Sequence, residues 1–266
     1  MSEIVDIREV SFAYGGALAV DKCSFTIESG KVTGLIGPNG AGKSTLIEIL
    51  AGRLKPRSGT VIFDGTDVTS YGPAKCARVG IVRTFQNARV FARLPVIENV
   101  MIAARPQSGE HALEAMFAQR KWKGQEATLR KEATELLEWL GLENHTHQRA
   151  GTLSGGQRRL MEMARALMAH PKLLLLDEPT AGVFPETSRL IATRVKEIAE
   201  QGVTILLIAH NMGFLSSVAD DVVVMAEGKV LVRGSLETVR AHDEVIAAYL
   251  GATVTQSGEG AGNARA

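Results

Sequence analysis

Apolar and polar positions alternate from Ile4 to Ile27 and break at Gly15-Gly16, which predicts two or three strands at a sheet edge around a glycine turn. Val32–Ile36 is a short apolar run that leads into glycine-rich sequence and then into a helical stretch, Ser44–Ala51. Val61-Ile62-Phe63 before Asp64-Gly65 predicts a hairpin corner, and Gly80–Phe85 a further strand.

From Asn87 to Leu160 the pattern turns helical and charge-laced. Glu132–Leu140 puts Leu136, Leu137 and Leu140 on one face, and the whole stretch is expected to form an inserted helical lobe. Lys172–Leu176 and Thr204–Ile208 are apolar runs of β type on either side of the amphipathic helix Glu186–Glu200. That order predicts a βαβ unit with buried parallel strands. Val222–Met225 and Lys229–Val232, joined at Glu227-Gly228, close the pattern as a hairpin, while Thr253–Ala266 has no periodicity and is expected to be disordered.

A chain of 266 residues, 45% of them hydrophobic, suits one compact α/β unit with a smaller lobe. Thirty Lys plus Arg against 29 Asp plus Glu leave a formal net charge of +1, which supplies no global field to draw the chain onto nucleic acid. Cys23 and Cys76 lie far apart without metal-ligand spacing, so buried thiols in a reducing compartment are expected. Met1–Val10 lacks the basic start and apolar stretch of a signal peptide, which predicts a cytoplasmic chain. No run approaches the ~18 to 20 apolar residues that span a bilayer, so a membrane role would have to come through a partner.

Gly37-Pro38-Asn39-Gly40-Ala41-Gly42-Lys43-Ser44-Thr45 fits G-x-x-x-x-G-K-[ST] and stands between a predicted strand and a predicted helix. Glycines there let successive N–H groups turn inward, and the helix adds its positive end, which together cradle phosphate oxygens. Lys43 would neutralise the β- and γ-phosphates, and the Ser44 hydroxyl would face Mg²⁺. Leu173–Leu176 ends in Asp177-Glu178, a placement expected to expose both carboxylates at the ligand-binding edge of the sheet. Asp177 suits the Mg²⁺ shell, and Glu178 suits polarising the water that attacks the γ-phosphate.

Leu153-Ser154-Gly155-Gly156-Gln157 resembles the signature of ATP-binding-cassette proteins, and the resemblance extends over about Ile4 to Gly251. It implies an α/β fold, a P-loop NTPase (RecA-like) core with an antiparallel β subdomain and an inserted helical subdomain. The ATPase domain would be 1–252, the helical insertion 87–160 and the tail 253–266. ATP and Mg²⁺ follow as cofactors. In this family Tyr14 would stack on adenine, Gly37 to Thr45 would hold the phosphates, and Ser44, Gln86 and Asp177 would surround Mg²⁺. Glu178, His210 and Lys43 would carry hydrolysis, His210 holding Glu178 and the attacking water in place. Ser154, Gly155, Gly156 and Gln157 would cap the γ-phosphate bound by an opposite subunit, so a second cassette, either a copy or a paralogue, is implied as dimer partner.

Arg83-Thr84-Phe85-Gln86-Asn87-Ala88-Arg89-Val90-Phe91, Val96-Ile97-Glu98-Asn99-Val100 and Ala247-Ala248-Tyr249-Leu250-Gly251 are similar to the ATPase subunit of importers for branched-chain and other hydrophobic amino acids. That resemblance implies two transmembrane permease subunits, an extracytoplasmic substrate-binding protein acting indirectly, and a peripheral place on the cytoplasmic face of the inner membrane. Val90, Phe91 and Leu94 would be the apolar contacts to the permease. Another cargo, such as urea or an exported lipid, or a soluble cassette without a transport role, are the alternatives. Two positions depart from the family pattern: Phe184 replaces its usual aspartate, and Asn211 follows His210 where an acid is common.

Overall fold

The computed structural model describes residues 2–84, 90–104, 119–242 and 245, the side chains of 119–123 excepted. The tail 253–266 and the Ala247–Gly251 stretch lie outside the described residues.

Strands β1 (Glu3–Tyr14) and β2 (Ala17–Glu28) form the first hairpin, turning at Gly15 with φ +57°. With β4 (Ser58–Phe63) and β5 (Thr66–Asp67) they make a four-stranded antiparallel sheet in the order β2-β1-β4-β5. The second sheet runs β10-β9-β3-β8-β7-β6. It contains β3 (Val32–Ile36), β6 (Ile81–Arg83), β7 (Leu173–Asp177), β8 (Thr204–Ile208), β9 (Asp221–Ala226) and β10 (Lys229–Gly234). From β9 through β6 the neighbours are parallel, and β10 returns antiparallel. Of the strand expected at Gly80–Phe85, Ile81–Arg83 is strand, Gly80 is spent capping a helix in the left-handed conformation, and Phe85 lies outside the described residues.

Among the described residues the helices are α1 (Lys43–Leu50), α2 (Pro73–Val79), α3 (Val96–Met101), α4 (Gln119–Trp139), α5 (Gly155–Leu167), α6 (Pro185–Glu200), α7 (Met212–Val218) and α8 (Leu236–Arg240). Helix α3 packs on α4 and α5. On α4, Leu137 is fully buried and Leu136 half-buried, and Leu140, just past the helix end, is fully buried too, close to the face the spacing predicts. No helix of the described residues is long and apolar enough to cross a membrane.

The central strands are buried on both faces, as a parallel sheet covered by helices requires. Their residues feed two separate cores in strict alternation. Leu174, Leu176, Ile205 and Leu207 join the core built on α3 to α7. Leu173, Leu175, Leu206 and Ile208 join the other, which takes in Leu46, Ile47 and Leu50 of α1 and the inward residues of the antiparallel sheet. Helix α1 therefore lies clamped between two sheets, with its N-terminus at the carboxyl edge of the parallel one. Cys23 and Cys76 are both buried free thiols.

Candidate functional site

Ile36 ends β3, and the loop that follows leaves at the edge where doubly wound sheets bind ligands. Two of its glycines are demanded by close approach as well as by conformation. At Gly37 (φ +146°) a Cβ would stand 1.9 Å from the Met225 carbonyl oxygen, and at Gly42 (φ +94°) 2.2 Å from that of Ala19. The loop is thus wedged between β9 and β2, and the Gly228 N–H closes on the Ala41 carbonyl at 3.2 Å.

No side chain caps α1 at Gly42, so its first-turn N–H groups are left for a ligand. Lys43 is buried and its ammonium donates to the carbonyls of Gly37 (2.7 Å) and Pro38 (2.8 Å). Burial pushes its pKa below the ordinary lysine value, and the charges of Glu178 and Asp177 pull it back up. Asn39, Gly40 and Ser44 are exposed around it, with Thr45 half-buried.

Glu178 stands across the sheet edge. β7 ends at Asp177, and the chain turns at Glu178 in the left-handed region, φ +49°. That turn brings the Glu178 carboxylate to His210, at the end of β8, with Oε1 and Nε2 2.9 Å apart. The expectation that both carboxylates are exposed is corrected for Asp177, which is 1% exposed. Its Oδ2 accepts from Arg83 at 2.9 Å, and Arg83 also pairs with Glu48 of α1. A carboxylate can be buried this deeply because it is ion-paired. Its other oxygen, Oδ1, is buried without a protein partner.

Tyr14 is 55% exposed beside the hairpin turn, its ring edge-on to Phe12 with centroids 4.9 Å apart. The same hairpin supplies Ala19, against which Gly42 packs. Gln86 lies outside the described residues. Ser154, Gly155, Gly156 and Gln157 stand apart from the Lys43–Glu178 cluster, at the start of α5. There Ser154 Oγ accepts the Gln157 N–H (3.2 Å) and Gln157 Oε1 accepts the Ser154 N–H (2.8 Å), a capping box. Gln157 also meets His145 Nε2 at 2.8 Å. The Ser154 hydroxyl keeps its own proton free to donate, and Gly155 is exposed beside it.

Two residues were missed by sequence reasoning. Arg83 ties Asp177 to α1, and the only signal was a cation ending an apolar strand. Asn99, fully buried, accepts from the Phe91 N–H and donates to the Phe91 and Pro95 carbonyls, fixing the loop that carries Phe91 and Leu94. Asn211 caps α7 by accepting the Phe214 N–H at 2.9 Å. An amide serves as well as an acid for that task, so this departure from the family pattern has a structural reason.

The fold and its loop define a phosphate-loop nucleotide hydrolase. The family model described as ABC transporter matches residues 20–181. The high-affinity branched-chain amino acid transport ATP-binding protein BraF of Pseudomonas aeruginosa is 37% identical over 249 residues, 93% of this chain and 98% of that protein. LivG of Escherichia coli K12, also a high-affinity branched-chain amino acid transport ATP-binding protein, is 32% identical over the same shares. Among crystal structures, the ADP conformation of an ATP-binding cassette of an ABC transporter superposes with a TM-score of 0.82 at 36% identity, over 94% of this chain and all of that one. A dimeric cassette in a post-hydrolysis state, bound to ADP and phosphate, gives 0.73 at 25% identity over 88% of this chain and 99% of that one. The chain belongs to the ABC transporter family and is an ATP-binding, ATP-hydrolysing subunit of such a transporter.

Proposed function

We propose that this cassette powers import of branched-chain or other hydrophobic amino acids, closing with a second cassette over ATP and Mg²⁺ while seated on two permease subunits at the cytoplasmic face of the membrane. An extracytoplasmic binding protein would deliver the cargo. The cargo class rests on the names of relatives matched along nearly their whole length. The helical insertion at 87–160 would carry the permease contact, with Val90, half-buried, and Phe91, half exposed, next to Leu94.

The observation that carries the hydrolytic reading is the meeting of Lys43, Asp177, Glu178 and His210 at one sheet edge. The loop amides and Lys43 bind and neutralise the phosphates, and Tyr14 offers a ring face to the base. The chemistry Mg²⁺ would supply here is positive charge to offset that of the phosphates. The buried, unpartnered Oδ1 of Asp177 and the exposed Ser44 hydroxyl are the groups here that suit its hydrated shell, with Gln86 a third by resemblance. Glu178 accepts the proton of the attacking water, and His210 keeps that carboxylate aimed. Ser154 and the Gly155–Gln157 turn present a helix N-terminus to the γ-phosphate held by the other cassette.

Replacing Glu178 by Gln tests this. MgATP affinity should be retained while turnover falls about 10²- to 10⁴-fold, the usual worth of a general base. Unchanged turnover refutes Glu178 as the base. Mass spectrometry of what co-purifies with the tagged chain from gently solubilised membranes tests the partners, two polytopic proteins and a second cassette being the expected result.

A further inference from the structure

Glu162 is a buried charge outside the Lys43–Glu178 cluster. It sits two turns into α5 and is 5% exposed, with Oε2 accepting from Arg159 at 3.4 Å and Oε1 without a hydrogen-bond partner among the described residues. A carboxylate so placed is costly until something completes it.

The same residue lines a cleft of about 490 Å³ between α2, β6, the turn after α3 and α5, a size that suits a small molecule. Ala77, Ala103, Ala166 and Ala169 leave the room, and Ile81 and Ile102 add apolar surface, Ile102 being 47% exposed. Arg53 and Arg165 stand on the lining with Glu162. Arg53 also lies 3.4 Å from Glu48, and Arg83, a third guanidinium there, is held by Asp177 and Glu48. Glu162 and Arg165 are three positions apart on α5 and share a face, close enough for the two charged ends of one small molecule to reach both.

One buried acid, two bases and an apolar wall call for a ligand with the complementary set: an ammonium, a carboxylate and an apolar body. A simple anion would meet Glu162, and a simple cation would meet Arg53 and Arg165, so a ligand of one sign is disfavoured. We propose that this cleft binds a free α-amino acid with a hydrophobic side chain, its ammonium on Glu162 Oε1, its carboxylate toward Arg165 and Arg53, and its side chain against Ile81 and Ile102. The chemistry of the cleft selects the ligand; that the ligand is also the cargo rests on the importer reading above. Arg165 lies over the Phe91 ring as well, 5.9 Å from its centroid, so the ligand would draw on a side chain that touches the proposed permease contact.

Calorimetric titration of the full chain with L-leucine tests this. At pH 8 leucine should bind saturably, while 4-methylpentanoate, which lacks the ammonium, and L-leucinamide, which lacks the carboxylate, should each bind about tenfold or more weakly. Glu162→Gln should weaken leucine about tenfold or more, should not weaken 4-methylpentanoate, and should keep the parent's MgATP affinity, which reports that the variant is folded. Burial lifts the Glu162 carboxyl to about 7 against the pull of Arg159 and Arg165, and the other charges lining the cleft are arginines. Leucine needs the carboxylate ionised, so it should bind the parent about fivefold or more weakly at pH 6 than at pH 8, and Glu162→Gln should show no such slope. Leucine that binds neither chain, or both equally, overturns the site and leaves the importer reading to the co-purification experiment. Binding of 4-methylpentanoate as tight as that of leucine overturns the ammonium contact. Leucine binding that depends on Glu162, in a chain that co-purifies with no permease, upholds the site and removes its link to the cargo.

Discussion

Glu178 is one of six non-glycine residues with positive φ among the described residues, a backbone state that costs on the order of 1–3 kcal/mol and survives where surrounding structure enforces it. Its own N–H is held by the Ile208 carbonyl at 3.1 Å, so β8 pins the residue at the point where its side chain must meet His210. Lys43 is held as firmly, by two loop carbonyls. Lys43→Ala should weaken MgATP binding about ten- to a hundredfold in calorimetric titration, since a hydrogen bond to a charged group is worth about 1.5–3 kcal/mol. Undiminished affinity would remove Lys43 from the phosphate cradle. Glu162 on α5 answers to a different force. Burial drives its carboxyl up from 4.5 to about 7, against the pull of Arg159 and Arg165. A raised pKa means that the folded chain holds the proton more tightly than the unfolded one. The resulting stability is full below pH 4.5 and is lost as pH climbs through about 7. Urea unfolding should therefore show Glu162→Gln gaining on the wild type between pH 4.5 and 7, and a gap that does not change with pH would contradict it.

Elements whose limits are written in local sequence were legible. Val32–Ile36 and Thr204–Ile208 are strands over the stretches expected, because an unbroken apolar run bounded by turn residues has nowhere else to go in a buried parallel sheet. The place of the glycine-rich loop between β3 and α1 was legible for the same local reason, its glycines and lysine lying within nine residues. What could not be read depends on partners distant in the chain. Asp177 was expected at the surface because nothing near it announces Arg83, 94 positions earlier, as the cation that allows its burial. The strand order β9-β3-β8 is equally silent in the sequence. At the start of α5 the reading was incomplete, since Ser154 and Gln157 cap each other whether or not nucleotide is near. Ser154→Ala should then cost about 1 kcal/mol of stability in denaturant unfolding without any ligand. No loss would mean that the box does not hold the helix end.

At the scale of the whole molecule, nucleotide binding is coupled to folding because the loop and α1 belong to one of the two cores. A ligand that binds only the folded chain stabilises it by mass action, and MgATP at about a hundredfold above its Kd should add about 2.7 kcal/mol. Thermal unfolding with and without MgATP measures this, and an unmoved midpoint would count against binding at Lys43. The parallel sheet also acts as a partition. Leu174 and Leu175 are consecutive, yet one faces the compartment of α3 to α7 and the other the compartment that grips α1. News of what occupies the phosphate loop has no loose side chain through which to cross that wall. A route around the rim, where Glu178 and His210 meet, is the one left, and on the function proposed above the residues assigned the chemistry would also be the gatehouse between the half that grips α1 and the half built on α3 to α7.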